Sequence, residues 1–144
     1  MSSQKDFYND QIAVPLLCDD LSATTNSLYV DTSSYKDVWF TVTMNMTTAS
    51  TGNSFTASLY GYNGATPTTA SGYTQITSYN GSFAANDSTG LTSEWVAPYD
   101  RLYRYYYIKI TEASTAEGDV CVTAHLQNRH QPSAADTVTT GTPS

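Results

Sequence analysis

Two segments in the last third of the chain, Tyr103–Thr111 and Asp119–Gln127, alternate apolar and mixed residues with a period of two. In the first, Tyr106, Ile108 and Ile110 share one face, and Tyr103, Tyr105, Tyr107 and Lys109 share the other. In the second, Val120, Val122, Ala124 and Leu126 face one way, and Asp119, Cys121, Thr123, His125 and Gln127 the other. Successive side chains of a strand point to opposite faces, so each segment predicts a strand with a single core-facing side. The polar stretch Glu112–Gly118 between them ends in Gly and predicts a hairpin with a longer loop. That hairpin is expected at the centre of an antiparallel sheet.

The same period recurs upstream. Gln11–Cys18 is apolar enough for a strand, but Pro15 removes a donor and confines it to a sheet edge. Leu28–Val30 is a short candidate. Lys36–Met46 is the strongest strand of the front half, with Val38, Phe40, Val42, Met44 and Met46 on one face and Trp39, Thr41, Thr43 and Asn45 on the other. After the turn residues Thr51-Gly52-Asn53, Phe55, Ala57 and Leu59 alternate inward again, which predicts a hairpin between these two strands. Tyr73–Tyr79 is a further candidate, with Asn80-Gly81 as a two-residue turn into Ser82–Ala84, and Glu94–Val96 precedes Pro98.

No segment sustains a helical period. About eight short strands separated by turn signals predict an all-β fold, an antiparallel β-sandwich of jelly-roll type. Its core should include Phe40, Val42, Leu59, Ile108, Ile110, Val120 and Val122. Arg104 should reach the sandwich rim or pair with a carboxylate such as Asp100. The sandwich is placed at 11–130, between a polar N-terminal arm, 1–10, and an extended C-terminal arm, 131–144, both long enough to reach neighbouring subunits.

Composition narrows the function classes. Leu, Ile, Val and Phe number only 24 of 144 residues, yet twelve Tyr and two Trp supply large apolar area and the net charge is −7, so a folded domain is expected. Six basic residues against thirteen acidic ones leave no footprint for phosphate, so no nucleic-acid partner is expected. No apolar run approaches the ~20 residues of a membrane helix, and no membrane partner is expected. The start MSSQKDFYND has no apolar stretch or cleavage site of a secretory signal, so a cytoplasmic origin is expected. In that setting Cys18 and Cys121 are read as free thiols.

Catalytic chemistry has little to stand on. His125 and His130 lack clustered carboxylates or metal spacing, and His125 reads as a hydrogen-bonded sheet residue. Neither a nucleophile elbow nor a Gly-rich phosphate loop is present. Asp19-Asp20 and Glu112/Glu117/Asp119 lack a calcium-loop pattern and read as solvated charge. The chain is therefore expected not to be an enzyme, with no catalytic residues, no cofactor and no metal. The aromatics are more telling. Trp39, Tyr60, Tyr62, Tyr103, Tyr105 and Tyr107 lie opposite the apolar stripes, and protein interfaces are enriched in such residues. A cover from the same chain, or a platform for sugar rings, would use the same face.

The ending carries a resemblance. A strand reading RYYYIKI, a small polar loop, a strand of small apolar residues and the closing Arg129-His130-Gln131-Pro132, with DFYND at Asp6–Asp10, resemble a group of small tailed-phage capsid decoration (cement) proteins. The resemblance implies a jelly-roll sandwich that forms a homo-oligomer, a dimer or trimer, made in the host cytoplasm. It implies attachment to the major capsid protein on the outer surface of the virion. Arg129 and His130 join the six aromatics as interface candidates on this ground. A carbohydrate-binding module, or a tail or baseplate adaptor, is the alternative. The middle of the chain departs from the family pattern in its richness in Thr, Ser and Tyr.

Overall fold

The computed structural model describes residues 11–47, 52–77, 82–86, 90–96, 102–129 and 138–144, excepting the side chains of 82–86, 90–96 and 129. The strands are β1 (Gln11–Leu21), β2 (Thr25–Asn26), β3 (Tyr29–Asp31), β4 (Tyr35–Met46), β5 (Ser54–Tyr62), β6 (Thr74–Ile76), β7 (Ser82–Asn86), β8 (Gly90–Val96), β9 (Tyr105–Ala113), β10 (Gly118–Arg129) and β11 (Thr140–Gly141). One sheet runs β1-β10-β4-β8 and the other β11-β3-β9-β5-β6, with β2 on β9 and β7 on β5. All pairings are antiparallel. β2 and β3 lie end to end along β9, and β6 and β7 end to end along β5, so each couple acts as one interrupted strand. Counted so, and setting β11 aside, first pairs with last, second with seventh, third with sixth and fourth with fifth. A long antiparallel ribbon wound in this way into two facing sheets is a jelly-roll sandwich.

The apolar stripes meet between the sheets. Phe40, Val42 and Met44 of β4 and Val120, Val122, Ala124 and Leu126 of β10 have no solvent exposure, nor do Phe55 and Ala57 of β5 or Tyr106, Ile108 and Ile110 of β9. Phe40 meets Tyr106 across the interior, their ring centroids 5.9 Å apart. All seven residues expected in the core are buried.

Both hairpins expected from the sequence are crossovers instead. β4 pairs with β10 and β8 while β5 pairs with β9, so the β4–β5 and β9–β10 connections each pass from one sheet to the other. Alternation marks which face is buried, and it is the same whether the next strand lies beside its predecessor or opposite it. The crossovers are tied together. Asn53, buried, accepts from the Thr115 N–H (3.2 Å) and hydroxyl (3.3 Å) and donates to its carbonyl (3.4 Å). The Thr47 N–H donates to the Glu117 carbonyl at 2.9 Å. Next to this, Gly118 lies opposite Met46 so closely that a Cβ would collide with the Asn45 carbonyl oxygen. The turn expected between β6 and β7 at Asn80-Gly81 lies outside the described residues.

Pro15 does place β1 at a sheet edge, with a register shift between Pro15 and Leu17. Cys18 and Cys121, read from the sequence as free thiols, face one another across the β1–β10 pair and form a disulfide. Their separation of 103 positions hid the pairing, because adjacency arises only from the register of two strands from opposite ends of the chain. The end of the expected C-terminal arm also differs. Residues 138–144 return to the domain: β11 pairs with β3, Pro143 is buried, and Ser144 accepts from the Ala70 N–H at 3.0 Å while its own N–H donates to Thr68 at 2.8 Å. Main-chain hydrogen bonds do most of this, which explains why so polar a tail can dock. The arm at 1–10 and residues 131–137 lie outside the described residues.

Two outcomes test this architecture. Truncating Phe40 or Ile108 to Ala should lower unfolding free energy by about 2–5 kcal/mol in a denaturant titration, through lost burial and a cavity. Removing residues 138–144 should lower the melting temperature by several degrees, since the β3 edge and the 68–70 loop lose their partners. An unchanged melting temperature would return the tail to the status of an arm.

Candidate interaction surface

The two outer faces of the sandwich are unlike. On the β11-β3-β9-β5-β6 sheet, the outward tyrosines are packed on one another. Tyr29 meets Tyr105 edge-on at 5.7 Å, Tyr62 stacks on Tyr73 at 5.0 Å, Tyr73 meets Tyr107 at 4.8 Å, and Tyr60 stacks on Tyr107 at 5.1 Å. The chain after β5 supplies the cover. Tyr73 donates to the Pro67 carbonyl at 2.8 Å, and a Cβ at Gly64 would collide with the Tyr62 hydroxyl. Burial and the surrounding rings push the Tyr73 hydroxyl well above its ordinary value, and burial does the same for Tyr107.

Arg104 closes the rim of this face, pairing with Asp31 through Nε to Oδ1 (3.1 Å) and NH2 to Oδ2 (2.9 Å) while lying over the Tyr105 ring. Burial alone would raise Asp31, but the bonds from Arg104 and Ser33 hold it below its usual range. The pairing expected of Arg104 is therefore made with Asp31; Asp100 lies outside the described residues.

On the β1-β10-β4-β8 sheet, the register sets outward residues in rows three strands wide: Gln11–Gln127–Asp37, Ala13–His125–Trp39, Pro15–Thr123–Thr41, Cys18–Cys121–Thr43 and Asp20–Asp119–Asn45. At ~3.4 Å per residue these rows cover a strip ~27 Å long. Its middle is uncharged, and its carboxylates, Asp37 at one end and Asp20 and Asp119 at the other, stand at the ends. Trp39 and His125 stack with centroids 5.3 Å apart and planes 9° from parallel, and Thr41 Oγ1 lies 2.7 Å from His125 Nε2. Burial lowers the His125 pKa, so the ring is neutral at pH 7.

The structure thus divides the sequence candidates. Trp39 stands, half-buried, on the β1-β10-β4 strip. Tyr60, Tyr62, Tyr105 and Tyr107 belong to the covered tyrosine cluster, and Tyr103 packs against the main core, edge-on to Tyr106 at 6.0 Å. Arg129 ends β10 opposite Tyr35, and His130 lies outside the described residues. The cover over Tyr105 and Tyr107 is the same-chain alternative that their face left open. Thr41, Thr43 and Thr123, placed by alternation on the same faces as Trp39 and His125, were not named as interface candidates. Among the described residues no group of three or more His, Cys, Asp or Glu could hold a metal, and no helix is long and apolar enough to cross a membrane.

No protein-family model matches the sequence, and no match is found among curated proteins. Among solved structures the chain is similar to one from Bacillus endospore appendages, a family of disulfide-linked pili. The TM-score is 0.43 at 17% identity, over 82% of this chain and 88% of that one. It is also similar to a chain of Desmodium yellow mottle tymovirus, at TM-score 0.32 and 9% identity over 88% and 91%. The sandwich itself is read from the strand pairing.

The His125 environment gives a signed pH dependence. Its folded-state pKa lies below the ordinary 6.5, so as pH falls the unfolded chain takes up the proton first. Stability conferred by the neutral ring is complete above pH 6.5 and declines below it, levelling off beneath the folded pKa. Melting temperatures at pH 7.5 and 5.5 should fall less for His125→Gln than for the parent; equal falls would contradict the assignment.

Proposed function

We propose that the chain is a virion structural protein that binds the outer surface of a capsid lattice, contacts the major capsid protein and stabilises the joints between its subunits. The observation that carries this reading is the strip on the β1-β10-β4 face. Its centre is uncharged around the Trp39–His125 stack, and its charges stand at the ends. Protein interfaces have the same anatomy, with charge depleted at the core and large aromatic anchors inside a polar rim. The RYYYIKI strand and the Arg129–Pro132 ending support the decoration-protein reading. The net charge of −7 fits a place outside a DNA-filled shell, away from nucleic acid. Such a protein would be made in the host cytoplasm and act on the particle surface, as a dimer or trimer.

Carbohydrate binding is the second reading, and it is less well supported. Tyr105 and Tyr107, the tyrosines best placed for a sugar platform, are 7% and 3% exposed and already packed on other rings.

Co-sedimentation with capsids stripped of the protein tests the proposal. Trp39→Ala should weaken binding by at least about 30-fold, as an interface anchor worth ~2 kcal/mol does, with its own melting curve as the folding control. Wild-type protein that fails to sediment while binding a glycan array would support the second reading. A copy number far below one per capsid subunit would point to an adaptor.

A further inference from the structure

Strand β1 has one neighbour in its sheet, β10, and its ladder is broken at Pro15/Leu17. Beyond the break it is held unevenly. Leu16 and Leu21 are buried at either end, but between them Cys18, Asp19 and Asp20 are exposed and only Leu17 packs, half-buried. Asp20 stands opposite Asp119, and like charges facing across a strand pair oppose pairing. The Cys18–Cys121 bond is the one covalent contact holding this half-strand to the sheet, and Cys18 lies open to solvent.

We propose that Cys18–Cys121 is a thiol–disulfide exchange site that sets whether the Leu17–Leu21 half of β1 is locked or released, a redox clip on the sandwich edge. A dithiol reductant attacks one sulfur through its thiolate, forming a mixed disulfide and freeing the other cysteine. Its second thiol then displaces the remaining cysteine. Two electrons and two protons end on Cys18 and Cys121, and the reductant leaves as its own disulfide. The core stripes of β4, β5, β9 and β10 lie beneath and stay closed, so only the edge responds. Since cytosol keeps thiols reduced, the clip closes once the protein reaches oxidising surroundings.

The test uses the full chain alone, so it stands or falls apart from the docking reading. Protein purified without reductant is treated with dithiothreitol under native conditions, followed by thiol titration and amide hydrogen exchange. Expected are no reactive thiols before treatment and two after it. Exchange should rise at least ~10-fold within Leu17–Leu21 and its partners Gly118–Val122, while Phe55–Tyr62 and Tyr105–Ile110 stay protected. Two reactive thiols before treatment would overturn the clip. So would a bond that yields only when the whole domain unfolds, or exchange that rises everywhere or nowhere.

Discussion

Burial of four apolar stripes against one another is the constraint from which the rest of the molecule follows. β4 and β10 present theirs from one sheet, β5 and β9 from the other, and every large side chain in them is closed to solvent. Neither sheet could exclude water alone, because each has a second face that is largely polar or tyrosine-lined. Stripes from both sheets are needed, so the chain passes repeatedly from one sheet to the other. The Asn53–Thr115 bonds join two of these passages, β4–β5 and β9–β10. A buried side-chain amide there satisfies main-chain groups of the second passage.

Much of this was legible in the residues, and the limits of legibility have a physical cause. The faces of Lys36–Met46 and Tyr103–Thr111, the edge position that Pro15 imposes and the seven core residues all follow from local rules of side-chain direction and donor count. Pairing partners do not. The strands of Phe40 and Phe55 read as a hairpin, yet they belong to facing sheets, because a period of two is silent about what lies across the interior. Cys18 and Cys121 became neighbours for the same reason in reverse: only the closing of the whole ribbon brings first and last strands together. Residues 138–144 carry little apolar area, and their docking rests mainly on main-chain hydrogen bonds, which composition does not reveal.

The candidate surface shows the same division. Alternation correctly put Trp39, Tyr105 and Tyr107 on outer faces. It could not distinguish an outer face left open from one over which the chain folds back. Tyr73, at the end of the returning segment, converts the tyrosines of β5 and β9 from a surface into a second small core. The Trp39–His125 pair lies on the other outer face, on β4 and β10.

The strand edges carry a consequence of their own. On one sheet the margins are β11, two residues long, and the interrupted β6–β7 couple; on the other they are β1, broken at Pro15, and β8, seven residues in unbroken register with β4. Short or broken margins give an incoming strand few consecutive main-chain groups to match. Backbone pairing between copies is thereby steered toward the β8 margin, and contact along the other three is left to side chains.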